Sequence, residues 1–230
     1  MSPATPATLP AVCGRFVAAS TRDLLVDWFG VEEITDDVEL PPSYNVAPTD
    51  DVYTVATAAE DGRRLLRVMT WGLVAGEGAT PLINARAETL AERPVFREAF
   101  EQRRCLIPAD GFYEWETVAG GAKQPYVFAP VDSRPLGFAG VYGKRGTCAI
   151  VTSAARPPVD RLHNRMPVVV APDRWETWLD RIADADELQS LLAPPPETAL
   201  RARPVSMRVN DVHNNDPSLL DETTPPLRLF

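Results

Sequence analysis

Short apolar runs, broken by polar and turn-forming residues, set the rhythm of this chain. The runs at 52–57 and 65–73 flank the turn-like pair Asp61-Gly62 and predict two strands. More runs of strand character follow at 104–107, 112–116, 126–128, 137–141, 148–152, 168–170 and 205–209. Residues 21–29 predict a helix, with Thr21 as N-cap and Gly30 as stop. Residues 84–103 read as helical with a break near Pro94, and shorter helical segments fall at 159–163, 173–179 and 185–192. The proline-rich stretch 40–49 reads as a loop. Residues 194–196 read as a break after which the chain returns to the same sheet. No internal repeat or domain boundary is visible. Many short strands with interspersed helices predict a single α+β domain, built on a strongly bent, barrel-like, mostly antiparallel sheet with flanking helices. It is expected to span 13–222, after a leader at 1–12 and before a tail at 223–230.

Composition narrows the class. The 230 residues, 45% hydrophobic and 24% charged, suit a soluble globular protein. A net charge of −9 gives no overall sign of nucleic-acid binding and leaves a local basic groove as the electrostatic route to a phosphate backbone. Only Lys123 and Lys144 are lysines; the other basic residues are arginines, which match phosphate geometry better but which a GC-rich genome would also supply. The three cysteines, Cys13, Cys105 and Cys148, are an odd number without close spacing, which argues against a disulfide framework. With no C-x-x-C pair and only His163 and His213, no metal site is expected, nor any cofactor. The Pro/Ala/Thr-rich leader lacks a basic n-region and an apolar h-region, so it reads as disordered rather than as a signal peptide. No apolar run is long enough to span a membrane. The expectation is a cytoplasmic monomer with no membrane partner.

The leader matters because it places Cys13 inside the chain. Val12 precedes it, and valine codons include GUG, which bacteria also read as a start. Initiation there, followed by loss of the initiator residue, would leave Cys13 at the amino terminus. A terminal cysteine carries a thiol and a free α-amine on adjacent carbons, and that pair can trap an aldehyde as a five-membered thiazolidine ring. An internal cysteine cannot. The other reading of Cys13 is a small buried hydrophobe.

Cys13 opens C-G-R-F (13–16), and five more segments follow: Y-N-V-A-P-T (44–49), M-T-W-G-L (69–73), N-A-R-A-E-T (84–89), P-A-D-G-F-Y-E-W (108–115) and H-N-R-M-P-V (163–168). Together, and in this order, they resemble the SOS-response-associated peptidase (SRAP) family over nearly the whole chain. The resemblance implies a protein that senses abasic sites in single-stranded DNA and cross-links to them through an N-terminal cysteine.

The same resemblance assigns roles. Cys13 supplies amine and thiol. Glu114, between two aromatics, assists sugar ring opening and amine deprotonation. His163 exchanges a proton with the sugar oxygen or the Schiff base. Asn84 orients the amine or a sugar hydroxyl. The residues alone also allow a solvent-facing carboxylate, a structural histidine and a helix N-cap asparagine. Arg15, Arg86 and Arg165 each lie two residues from a proposed catalytic group and can fork onto phosphates or pair in surface salt bridges. Trp71 and Trp115 can stack on bases, though core packing is the stronger reading of Trp71. Thr152 and Ser153 offer neutral phosphate contacts. Two alternatives stay open. One is a thiol peptidase using Cys13, His163 and Asn84, including removal of the residues before Cys13. The other is a noncovalent single-strand binder that tolerates Cys13→Ala. The segment V-N-D-V-H-N-N-D-P (209–217) receives no role.

Overall fold

A computed structural model describes residues 13–193 and 199–224. The chain opens with β1 (Phe16–Ala18) and α1 (Arg22–Phe29). Thr21 caps that helix by accepting from the Leu24 N–H, and Gly30 ends it in the left-handed conformation, φ 63°. Strands β2 (Glu33–Ile34), β3 (Ser43–Val46), β4 (Asp51–Thr57), β5 (Arg64–Trp71) and β6 (Asn84–Arg86) come next. After α2 (Pro94–Gln102) follow β7 (Arg104–Ala109), β8 (Gly111–Thr117), β9 (Lys123–Pro130), β10 (Leu136–Tyr142), β11 (Thr147–Ala154) and β12 (Arg165–Pro167). Two short helices, α3 (Trp175–Leu179) and α4 (Ala185–Leu191), precede β13 (Leu200–Pro204).

The strands form two mostly antiparallel sheets, ordered β13-β9-β8-β1-β3 and β12-β11-β10-β7-β4-β5-β2. The second sheet closes on itself, because β11 also pairs in parallel with β5 through Thr147–Thr70 and Cys148–Trp71. The result is the bent, ring-like sheet expected of this α+β chain. Alternation along its strands sorts the core. Leu106, Ala139, Val141, Ala149 and Val151 pack with the helices, against Phe29, Phe96, Trp175 and Trp178. Their neighbours Cys105, Ile107, Phe138, Cys148 and Ile150 pack with Phe112 and Phe128 of the first sheet, and with Cys13.

Four expectations are corrected. The stretch 40–49 is not all loop: Ser43–Val46 forms edge strand β3 against β1, with Pro41, Pro42 and Pro48 outside the paired residues. Residues 84–86 are not the start of a helix. They pair in parallel with Ile150, Val151 and Thr152 of β11, and this pairing overrides the helical propensity of A-R-A-E. The strand expected at 168–170 begins earlier, as Arg165–Pro167, and 168–170 continues it only through an isolated bridge, Val169 to Phe138. The last strand is Leu200–Pro204, while Met207–Asn210 is a 3₁₀ turn. The leader at 1–12 and the break at 194–196 lie outside the described residues, as does the tail from 225 onward. No helix among the described residues is long and apolar enough to cross a membrane.

Candidate active site

The segment P-A-D-G-F-Y-E-W builds the site by turning a corner. Pro108 and Ala109 end β7. The Asp110 carboxylate accepts from the N–H groups of Ala19 at 2.6 Å and Ser20 at 2.8 Å, which ties the corner to the residues after β1. Gly111 has no room for a side chain: a Cβ there would lie 2.8 Å from the Phe128 carbonyl oxygen. The corner sets the register of β8 against β1 and β9. Alternation then sends Tyr113, with Trp115 packed beside it, into a cluster with Val17, Val127 and Val209. Phe112 and Glu114 turn the other way, toward Cys13.

Cys13 lies just before β1. Its backbone N–H donates to Glu114 Oε1 at 3.0 Å. With residue 12 attached this nitrogen is an amide; in a chain beginning at Cys13 it would be the α-amine. Cys13 also sits in the left-handed region, φ 46°, a torsion that exists only while a residue precedes it. Burial pushes the Glu114 carboxyl up to about 7, with the Cys13 contacts pulling the other way. Burial, then the Glu114 charge, pushes the Cys13 thiol well above its ordinary value. The pair places a proton acceptor poised near neutrality beside a thiol that keeps its proton.

Glu114 opens into a cleft of about 600 Å³ that Arg15, Trp115 and His163 also line. Lys123, Met207 and Asn210 complete its wall. His163 Nδ1 lies 3.0 Å from the Arg165 N–H and 3.3 Å from the Arg165 carbonyl oxygen, which leaves Nε2 as the ring nitrogen available for chemistry. Arg15 is half-buried, and its Nη1 donates to Asn45 Oδ1 at 2.8 Å and the Val209 carbonyl at 3.0 Å. Trp115 donates through Nε1 to Asn210 Oδ1 at 2.7 Å. A separate, more apolar groove around Trp28 and Trp175 carries none of these groups.

The remaining sequence candidates divide. Asn84 lies on β6 opposite Ile150, so the N-cap that its sequence context also allowed is replaced by strand pairing, and it is not among the residues lining the cleft. Arg86 is exposed at the end of the same strand. Arg165 forks onto Glu88 at 2.7 and 2.9 Å and also donates to the Thr152 carbonyl, so its charge is already paired. Trp71 is fully buried, with Nε1 donating to the Ile83 carbonyl at 2.9 Å, and presents no face to a base. Thr152 and Ser153 are buried too, which removes them as surface phosphate contacts. The reason is shared: all three lie on ring strands whose faces are covered by packing. Cys105 and Cys148 are core residues whose thiols burial pushes upward. Among the described residues, no group of three or more His, Cys, Asp or Glu could hold a metal ion.

Sequence reasoning missed Asn45, Lys123, Met207 and Asn210 as parts of the site. Two carried a signal, since Asn45 lies in Y-N-V-A-P-T and Asn210 in V-N-D-V-H-N-N-D-P.

The fold and the cleft together define an α+β protein with a cysteine–carboxyl pair at the junction of two sheets. The chain belongs to the SOS response associated peptidase (SRAP) family, whose model matches residues 12–212. It is 35% identical over 224 residues to the abasic site processing protein YoqW of Bacillus subtilis (strain 168), covering 91% of this chain and 99% of that protein. It is 31% identical over 225 residues to the abasic site processing protein YedK of Escherichia coli (strain K12), with the same coverage of each. A solved structure from Bacteroides thetaiotaomicron has a TM-score of 0.78 at 23% identity, over 92% of this chain and 100% of that one, and shares the fold. A phage-related protein from Bordetella bronchiseptica has a TM-score of 0.69 at 29% identity, over 84% and 94%.

Proposed function

We propose that this protein recognises abasic sites in single-stranded DNA and cross-links to them through Cys13 once residues 1–12 are removed. The observation that carries the reading is the 3.0 Å contact between the Cys13 nitrogen and a Glu114 carboxyl held near 7. Relatives named as abasic site processing proteins support the substrate, and the family match begins beside Cys13, at residue 12.

In this mechanism the ring-opened abasic sugar offers its aldehyde carbon to the Cys13 amine. The amine has a reference pKa near ~8 and is partly free at neutral pH. Glu114 accepts the proton shed as the C–N bond forms. The resulting hydroxyl leaves as water, taking a proton from Glu114 or from His163 Nε2, and a Schiff base remains. The Cys13 sulfur then bonds to the imine carbon while the thiol proton passes to the imine nitrogen through Glu114. One amine, one thiol and one aldehyde become one thiazolidine and one water. The thiol that burial keeps protonated suits this order of events, because the amine reacts first. The Schiff base also opens a weak lyase route, in which Glu114 or His163 removes the proton next to the imine carbon. Arg15 and Arg86 hold flanking phosphates in this reading, and Trp115 stacks on a base.

The thiol-peptidase alternative draws less support, since burial and Glu114 oppose a thiolate and Asn84 is not among the residues that line the cleft. The test uses a protein trimmed to begin with Met directly before Cys13, incubated with a single-stranded oligonucleotide carrying one abasic site. On a denaturing gel, an adduct from the trimmed protein and not from its Cys13→Ala variant supports the reading. No adduct from the trimmed protein sinks it. The full-length chain, run alongside, reveals whether it processes itself.

A further inference from the structure

Two of the sequence motifs, Y-N-V-A-P-T and V-N-D-V-H-N-N-D-P, take no part in the chemistry just described, and the structure joins them to each other. Asn45 is 3% exposed on edge strand β3. Its Oδ1 accepts from Arg15 Nη1 at 2.8 Å. Its Nδ2 donates to three carbonyls of one segment: Asp211 and Asn214, both at 3.0 Å, and Val209 at 3.3 Å. Next to it, the Tyr44 N–H donates to Asn215 Oδ1 at 2.6 Å, and the Tyr113 hydroxyl donates to the Tyr44 carbonyl at 2.7 Å. The segment pinned in this way walls the cleft. Its Asn210 accepts from Trp115 and donates to the Lys123 carbonyl at 3.0 Å.

An amide is the side chain this position calls for. It must accept from a guanidinium with one atom and donate to carbonyls with the other. Aspartate has the same shape, but it would turn an acceptor toward three carbonyl oxygens and offer a full charge to Arg15. Serine would reach neither set of partners. Arg15, for its part, uses Nη1 on Asn45 and the Val209 carbonyl, and its side chain lines the cleft.

We infer that Asn45 is a positioning residue for DNA binding: it orients the Arg15 guanidinium for a backbone phosphate and locks the 209–214 segment against the cleft. The inference rests on the reading that the cleft takes single-stranded DNA.

The test measures equilibrium binding of an intact, fluorescently labelled single-stranded oligonucleotide across a salt series, together with the cross-linking rate at saturating abasic DNA and thermal melting. It uses the protein beginning at Cys13. Asn45→Asp should weaken binding about tenfold, the loss of one charge-assisted contact. The log–log salt slope should become shallower by about 0.7, one single-strand phosphate. The rate at saturating abasic DNA should stay within about twofold, because Asn45 touches neither Cys13 nor Glu114. Asn45→Ser should act in the same direction in the parent protein and add nothing in an Arg15→Gln background, since the two residues work as one unit. Equal Asn45→Ser losses in both backgrounds, or a lowered melting temperature with unchanged affinity, would reduce Asn45 to a staple and overturn the inference. If Asn45→Asp fails to fold, the Asn45→Ser cycle decides alone. Parent protein that binds the intact strand in an Asn45-dependent way yet makes no adduct overturns the cross-linking reading and leaves this inference standing.

Discussion

Arg104 and Glu114 are both ionisable side chains almost wholly inside the molecule, at 4% and 3% exposure, and the fold treats them in opposite ways. Arg104 sits where α2 and α3 end. Its Nε donates to the Trp178 carbonyl at 2.8 Å, its Nη1 to those of Phe100 and Glu101, and its Nη2 to that of Asp180. Carbonyls left over at helix ends need donors, and one guanidinium serves two helices. Burial lowers it only to about 10, so it stays charged at neutral pH. Glu114 has been given far less. The Cys13 N–H is the backbone donor that reaches its carboxylate, and burial carries it up to about 7. A buried charge meant to stay put is caged by dipoles, whereas a buried acid left under-solvated can gain and lose a proton near neutrality.

The comparison can be broken at either residue. The largest effect is expected from Glu114→Gln, which keeps the shape and removes the proton acceptor: the cross-linking rate should fall by roughly 10²–10³-fold, with melting preserved. A loss under about threefold, read in single-turnover gels, would remove Glu114 from the chemistry. Arg104→Met should do the reverse. It strands the carbonyls of two helix ends and should cost about 3 kcal/mol, seen as a lower denaturation midpoint, while cross-linking at 25 °C stays unchanged.

The pH dependence sharpens the contrast. Glu114 is raised from 4.5 to about 7 in the folded state, so the native protein holds a proton that the unfolded chain releases. Its contribution to stability is full below about 4.5 and is lost as pH rises through about 7, a swing of about 3 kcal/mol. Denaturant midpoints of the full-length chain relative to its Glu114→Gln variant should therefore decline across that window, and parallel curves would refute the shift. The smallest effect is expected at Arg86. Arg86→Gln should weaken single-strand binding a few-fold and make the salt slope shallower by about 0.7, with no change in melting.

Legibility followed the range of the interactions involved. Helix α1 was readable because Thr21 and Gly30 act within a turn of the backbone they cap. Most strands were readable because alternation is local. Residues 84–86 were misread as the start of a helix because their partners, Ile150 to Thr152, are remote in sequence and pair only after the ring closes. Trp71 was readable as a core residue and fills the core, whereas only the fold puts Trp115 on the wall of the cleft. Arg165 looked like a phosphate ligand because nothing nearby in sequence announces Glu88 as its partner.

The amino-acid sequence by itself determined the class of fold, the caps and turns, and the residue types available for chemistry, including a cysteine that opens C-G-R-F and a carboxyl between two aromatics. Those properties reside in single residues and short spacings. Only the tertiary structure decided that Glu114 meets Cys13, 101 positions away along the chain, that burial tunes that carboxyl toward neutrality, and that Asn45 joins Arg15 to the 209–214 segment. Hydrogen bonds, dielectric environment and cleft shape depend on which surfaces end up face to face, and pairing two sheets around one core is what brings these surfaces together.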